Sequence, residues 1–66
     1  MTLTINGEQR SFEGLTHVEG LVTLLGLDPR KVAVEKNLEI VPKSTFGATL
    51  LSDGDRIEIV HFIGGG

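Results

Sequence analysis

The chain has 66 residues, which allows one domain with a thin hydrophobic core. Its net charge of −3 and the lack of a basic stretch argue against nucleic acid as a partner. The absence of cysteine excludes a disulfide framework, a thiolate metal site and a cysteine nucleophile. No apolar run has the length of a membrane span and no signal peptide begins the chain, so we expect a cytoplasmic protein without a membrane partner.

The N-terminal residues predict a β-hairpin. Residues 1–5 alternate apolar and polar side chains, which is typical of a half-buried strand. Asn6-Gly7 follows, and both residues tolerate the positive φ angles of a type I′ turn. A two-residue loop places Phe12 on the same inner face as Leu3. We interpret Asn6 itself as a plain turn residue.

One amphipathic helix is predicted after the hairpin. Thr16 and Glu19 have the spacing of a capping box, in which the Thr16 hydroxyl accepts from the Glu19 amide and the Glu19 carboxylate reaches back. Four apolar residues then recur at helical spacing: Val18, Leu21, Val22 and Leu25. Gly26 supplies the left-handed residue that ends the helix, and Pro29 prevents its continuation.

The rest of the chain is predicted to form short strands joined by turns. Strands are expected at residues 32–35, 38–41 and 56–62, with turns at Asn37 and residues 52–55 and one helical turn at residues 43–47. Pro42 ends the second of these strands or leaves it at a sheet edge. In the last strand, alternation directs Ile57 and Ile59 to one face of the sheet. It directs Val60 and Phe62 to the other.

These elements predict an α+β fold, a ubiquitin-like β-grasp in which one main helix packs on one face of a mixed four- to five-stranded sheet. We expect a single domain over residues 1–66 with a flexible C-terminal glycine tail at residues 63–66. The second sheet face is left to solvent, apart from Val60 and Phe62. These two residues are either a docking patch or ordinary scattered surface apolar residues.

Few residues have the pattern of a catalytic or metal site. Glu35 and Glu39 lack a nucleophile or cleft beside them, so they are interpreted as solvated carboxylates. His17 is expected to be exposed in the first helical turn. His61 lies between apolar neighbours, which favours a hydrogen-bonded structural imidazole. Neither histidine has further ligands near it, so we expect no metal and no cofactor bound by this chain.

The chain ends in Ile63-Gly64-Gly65-Gly66, directly after the last strand. One interpretation is a flexible end with no function. The other is a functional extension, since four extended residues reach about 14 Å and would carry a terminal carboxylate into another protein's active site. Glycine suits that task because it lacks a Cβ and passes through a narrow channel.

Three segments carry a resemblance to a known family. They are VAVEKN at residues 32–37, EIVPK at residues 39–43 and LSDGDRIEIVHFIGGG at residues 51–66. In these segments the chain resembles the bacterial sulfur carriers of the thiamine thiazole pathway, the ThiS family. With the N-terminal strand and its turn, the resemblance covers nearly the whole chain. The glycine end alone is not specific, because ubiquitin-like carriers in general share it. The whole block of residues 53–66 is the most specific part of the resemblance.

The resemblance implies a mechanism at Gly66. A ubiquitin-activating-like adenylyltransferase would use MgATP to convert the Gly66 carboxylate into an acyl-adenylate. Sulfur from a cysteine desulfurase or another donor would replace AMP, and the resulting thiocarboxylate would donate its sulfur to thiazole synthase. In this scheme the chain is a co-substrate and its partners are the catalysts.

The same resemblance implies which residues meet the partners. Partner contact is assigned to the end of the last strand and to the tail: Val60, Phe62, Ile63, Gly64 and Gly65. Two alternatives stay open. The small subunits of molybdopterin synthase share the fold and the tail, although they are usually longer. A ubiquitin-like modifier or binding module, whose tail is conjugated to lysine, would also have a glycine end.

Overall fold

The computed structural model describes residues 1–62. Its strands are β1 (Thr2–Ile5), β2 (Glu8–Ser11), β3 (Val32–Lys36), β4 (Glu39–Val41) and β5 (Arg56–His61), and its helix is α1 (Val18–Leu24). Short 3-10 turns cover Pro29–Lys31 and Lys43–Thr45. The strands form one sheet in the order β2-β1-β5-β3-β4. The pair β1–β5 is parallel and the other three pairs are antiparallel, so the sheet is mixed, as predicted.

The hairpin forms with the predicted turn. Asn6 and Gly7 have φ angles of 50° and 81°, the left-handed values that a type I′ turn requires. The register pairs Leu3 with Arg10, which fits a two-residue loop. Phe12 is buried with Leu3 in the core, so its predicted position on the inner face is confirmed.

The predicted capping box is wrong. Helix α1 begins at Val18 with His17 at the N-cap, and the Thr16 hydroxyl lies 2.8 Å from the His17 ring Nδ1. The Glu19 amide donates to the Phe46 carbonyl at 2.9 Å. A backbone acceptor from a distant loop therefore satisfies the helix amide that the threonine hydroxyl was expected to satisfy.

The end of the helix agrees with the prediction. Gly26 has a φ of 76°, and its amide donates to the Thr23 carbonyl at 3.0 Å. The Leu27 amide donates to the Val22 carbonyl at 3.1 Å. These two bonds form a Schellman motif, which satisfies the last carbonyls of the helix and turns the chain back toward the sheet.

The second half of the sheet differs from the prediction at two points. Leu38 was expected in a strand, but it shares the turn with Asn37, and their φ angles are 72° and 51°. Strand β4 is accordingly short, and it lies at the sheet edge before Pro42, as expected. The helical turn predicted at residues 43–47 is a 3-10 turn over Lys43–Thr45, so it ends before the glycine.

The hydrophobic core lies between α1 and the inner face of the sheet. Its residues come from every strand of the sheet except β2, from the helix and from the connecting loops: Leu3, Ile5, Phe12, Val18, Leu21, Val22, Val32, Val34, Val41, Phe46, Leu51, Ile57 and Ile59. None of the helices within residues 1–62 has the length and apolar character needed to cross a membrane. One helix thus covers one face of the sheet and leaves the other open.

Candidate functional site

Strand β5 leads into the tail and has two different faces. Ile57 is fully buried and Ile59 is nearly so. Val60 is 60% exposed and Phe62 is 45% exposed. The predicted alternation is therefore confirmed, and the open face of β5 presents two apolar side chains just before the tail. Their role in partner docking stays a prediction.

The chain is fixed to the sheet as far as Phe62 on the β3 side. The Phe62 amide donates to the Lys31 carbonyl at 2.7 Å, one step beyond the paired residues Val32 and His61. The Lys43 Nζ lies 5.1 Å from the centroid of the Phe62 ring, within the range of a cation–π contact. The sequence pattern did not predict this contact, because the two residues are far apart in the chain and only the fold brings them together.

A turn residue fixes the other edge of β5. The Ile59 amide donates to Asn6 Oδ1 at 2.8 Å, and Asn6 Nδ2 donates to the Ile59 carbonyl at 3.2 Å. The sequence pattern predicted a turn at Asn6 and gave no indication of this role of its side chain. Asn-Gly is common in hairpin turns for conformational reasons, so the pair carries no signal for a further contact.

The beginning of β5 is held by a buried polar network. Asp55 accepts from Asn37 Nδ2 at 2.9 Å and from the Ser52 amide at 2.8 Å. Asn37 Oδ1 in turn accepts from the Arg56 amide at 2.9 Å. The carboxylate is thus buried with hydrogen-bond donors on both of its oxygens, as a buried charge requires. This network stabilises the strand and lies at the end away from the tail.

The open face carries a further apolar side chain on the edge strand. Ile40 pairs with Glu35, and Glu35 pairs with Glu58, so these three residues form a row on the same face as Val60. Ile40 is 75% exposed. The sequence analysis did not name it, although the strand alternation that buries Val41 would have directed Ile40 to this face.

The histidines and carboxylates are the candidates for a structural imidazole and for a metal site. His61 is exposed and lines an open cavity of about 370 Å³ beside Asn6, so the predicted structural imidazole is wrong. By alternation His61 lies on the same face as Ile57 and Ile59, but it is the last residue of β5 and lines this open cavity with Leu25 and Leu27 instead of entering the core. Among residues 1–62, no group of three His, Asp or Glu side chains has the arrangement of a metal site.

One surface ion pair has a clear electrostatic signature. Asp28 accepts from the Arg30 guanidinium, with Nη2 at 2.9 Å, and from the Arg30 amide at 2.9 Å. These bonds lower the pKa of Asp28 from 3.8 to about 2. The pair stabilises the 3-10 turn that leads into β3, because Asp28 caps that turn.

Four of the residues assigned to the site lie outside the described residues: Ile63, Gly64, Gly65 and Gly66. The described part of the site is therefore the end of β5, with Val60 and Phe62 on the open face. Asn6 holds it on one edge, and Lys31 and Lys43 contact it on the other.

Known proteins resemble this chain over its full length. A model of the ThiS family matches residues 3–66. The sulfur carrier protein ThiS of Bacillus subtilis is 38% identical over 65 residues, which are 97% of this chain and 98% of that protein. The crystal structure of a thiamine biosynthesis protein (ThiS) from Geobacter metallireducens has a TM-score of 0.85 with this chain at 36% identity, and the match covers all of both chains.

Two larger proteins contain a similar segment. Thiazole synthase of Paramagnetospirillum magneticum is 59% identical over all 66 residues of this chain, which cover 20% of that protein. Thiazole synthase of Magnetococcus marinus is 50% identical over all 66 residues of this chain, which again cover 20% of that protein. The chain thus spans one fifth of the length of these curated relatives. The family model, the Bacillus relative and the shared ubiquitin-like β-grasp fold together show that the chain belongs to the ThiS family.

Proposed function

We propose that this chain is the sulfur carrier of thiamine thiazole biosynthesis, with the Gly66 carboxylate as the group that carries sulfur. The observation that supports this most is the match to the ThiS family model, which runs through the glycine end, residues 3–66. A relative of nearly the same length is named a sulfur carrier protein. The chemistry is assigned to the tail, because the family match includes the glycine end.

The proposed chemistry begins with an unreactive group. A C-terminal carboxylate has a pKa of about 3.3–3.7 and is ionised at neutral pH, so it resists nucleophiles. Attack of a Gly66 carboxylate oxygen on the α-phosphorus of ATP forms an acyl-adenylate and releases pyrophosphate. Sulfide then displaces AMP. With sulfide the product is the thiocarboxylate directly, and no reductant is consumed.

In this proposal the catalysts and the MgATP belong to other proteins. A ubiquitin-activating-like adenylyltransferase binds MgATP and receives the tail, and a cysteine desulfurase or another donor supplies the sulfur. The chain has no cysteine, so no internal thiol competes for the activated carbonyl. We assign the reaction to the cytoplasm, and we assign the chain the part of a co-substrate.

The proposed sulfur acceptor is thiazole synthase. Two proteins of that name contain a segment similar to this chain, in which carrier and synthase share one polypeptide. Such a covalent connection raises the effective concentration of the carrier at the synthase, which supports an interaction between the two. In a separate carrier, docking has to supply that proximity.

We assign the docking to the end of β5. Val60 and Phe62 are exposed on the open face, and the Phe62 amide is still bonded to Lys31. The proposed contacts of Val60, Phe62 and Ile63 therefore start from a rigid strand. Gly64 and Gly65 are proposed to thread a narrow channel between that surface and the active site.

Extension of the chain by one alanine after Gly66 tests the proposal. The added residue moves the carboxylate away from the adenylation site, so we expect the exchange of labelled pyrophosphate into ATP to be lost. The fold should be unchanged by circular dichroism, and a chain extended at its N-terminus is the matched control. Full exchange activity in the C-terminally extended chain would contradict the tail mechanism.

The choice of acceptor is tested with two synthases. We expect the thiocarboxylate form to transfer its sulfur to thiazole synthase and not to molybdopterin synthase. Transfer to molybdopterin synthase would support the molybdopterin carrier instead. A stable isopeptide adduct with lysine in cells would support a protein modifier.

A further inference from the structure

Two asparagines in turns outside β5 form side-chain hydrogen bonds to this strand or to the residue before it. Asn6 and Asn37 have φ angles of 50° and 51°, and both lie in tight turns. The Asn37 side chain bonds Asp55 and the Arg56 amide at the beginning of the strand. The Asn6 side chain bonds both backbone groups of Ile59 near its end.

The Asn6 side chain extends the parallel pairing of β1 with β5. The Thr4 amide donates to the Asp55 carbonyl at 3.0 Å, and the Asn6 amide donates to the Ile57 carbonyl at 2.9 Å. The chain then turns away at Gly7, so the backbone of β1 has no further residue to pair with β5. The side-chain amide group of Asn6 takes that place and bonds Ile59, the next residue of β5 whose backbone groups point toward β1.

Both backbone groups of Ile59 are satisfied only if the partner offers a donor and an acceptor together. The side-chain amide of Asn6 offers both: its Oδ1 accepts from the backbone amide of Ile59, and its Nδ2 donates to the backbone carbonyl of Ile59. Glycine would fit the positive φ of this turn at least as well, but it has no side chain to offer. Aspartate has the same shape, but its second oxygen would face the Ile59 carbonyl oxygen. The turn accounts for the backbone conformation of Asn6, and the two bonds to Ile59 give its side chain a second role that neither glycine nor aspartate could fill.

We propose that Asn6 is a positioning residue for the C-terminal tail in the adenylation of Gly66. By holding the β1 side of Ile59, it completes the fixation of β5 on both edges, three residues before Phe62, the last described residue. On the β3 side, the last bond within residues 1–62 runs from the Phe62 amide to the Lys31 carbonyl. This inference rests on the proposed sulfur-carrier function.

The contribution of Asn6 is expected in the chemical step. Docking through Val60 and Phe62 lies on the open face and does not involve the Asn6 side chain, so binding of the partner should be kept. Misplacement of a reacting group by about 1 Å can cost about a hundredfold in rate. Loss of one edge contact three residues before Phe62 should give a smaller effect, about tenfold in kcat.

The test compares Asn6→Gly and Asn6→Asp with Asn37→Gly as the matched control. All three variants keep a residue that tolerates the turn, and the control removes a comparable side-chain contact at the far end of β5. Adenylation by the activating enzyme is measured well below the unfolding temperature of every variant. We expect kcat to fall about tenfold for both Asn6 variants, with KM within about twofold of wild type, and both constants to be unchanged for Asn37→Gly.

Hydrogen exchange in the free protein gives a second readout that needs no partner. The Ile59 amide should exchange about tenfold faster in Asn6→Gly than in wild type, and it should keep its protection in Asn37→Gly. Unchanged kcat in the Asn6 variants, or an equal fall in Asn37→Gly, would overturn the positioning role while leaving the carrier function intact. A wild-type chain that is not adenylated at all would overturn the proposed function together with this inference.

Discussion

The two faces of strand β5 differ in burial. On the inner face, Ile57 and Ile59 are buried against the helix and belong to the core. On the open face, Val60 and Phe62 are exposed although they are equally apolar. A side chain's place in the alternation, and not its hydrophobicity, therefore decides whether it stabilises the fold or is available to a partner. Substitutions on each face test this division.

The largest effect is expected for Ile57→Ala. Ile57 is fully buried at the centre of the sheet, so truncation removes apolar contacts and leaves a cavity. Such substitutions cost about 2–5 kcal/mol of unfolding free energy. Since small domains are stable by roughly 5–15 kcal/mol, much of the stability should be lost. Urea unfolding followed by circular dichroism measures this, and a loss under about 1 kcal/mol would mean that the inner face is not the core.

A smaller loss of stability is expected for Asp55→Ala, at the beginning of the same strand. This variant leaves the Ser52 amide and Asn37 Nδ2 without their acceptor. An unsatisfied buried donor costs about 1–3 kcal/mol. The same unfolding experiment measures it, while adenylation should keep its wild-type KM. A raised KM would show that this end of β5 also takes part in recognition.

Phe62→Ala should weaken partner binding more than folding. Its ring is partly exposed on the open face and contacts Lys43, so we expect about a tenfold weaker complex with the activating enzyme, or about 1.4 kcal/mol. Leu24→Ala is the matched control, because Leu24 is 61% exposed on the helix, away from this face. Isothermal titration calorimetry measures both. Unfolding of Phe62→Ala, or equal weakening in Leu24→Ala, would contradict the division between the faces.

The smallest change in stability is expected for Asp28→Asn, because Asp28 lies in the turn before β3 and not in β5. Its pKa is lowered to about 2 in the folded chain, so the ionised pair with Arg30 contributes stability above the ordinary value of 3.8. That contribution is lost as the pH falls through about 2. Wild type should therefore be slightly more stable than the variant at neutral pH, and the difference should vanish toward pH 2. Thermal unfolding over this range measures it, and a difference independent of pH would rule out the ion pair as the cause.

Local patterns in the sequence predicted much of the fold. The Asn-Gly turn, the glycine at the helix end and the alternation in β5 each depend on neighbouring residues, and each was confirmed. The helix N-terminus was predicted wrongly, because its Glu19 amide bonds Phe46, a residue from a distant loop. The interpretation of His61 as a structural imidazole was wrong as well, because its apolar sequence neighbours, Val60 and Phe62, point to the opposite face of the sheet.

The candidate site was predicted less completely than the fold. Val60 and Phe62 follow from alternation within one strand. The contacts of Asn6 with Ile59 and of Lys43 with Phe62 join residues that only the folded sheet brings together. Such side-chain contacts leave no periodic signal in the sequence. The most informative unpredicted residues at the end of β5 are therefore those contributed by other elements.

The central claim, that Gly66 carries sulfur, is tested most directly by the intact mass of the untagged protein. The mass is measured on protein isolated from cells and again after incubation with MgATP, the activating enzyme and sulfide. We predict that one oxygen is replaced by sulfur and that fragmentation localises the change to Gly66. An unchanged mass with an activating enzyme that is competent on another carrier would contradict the claim.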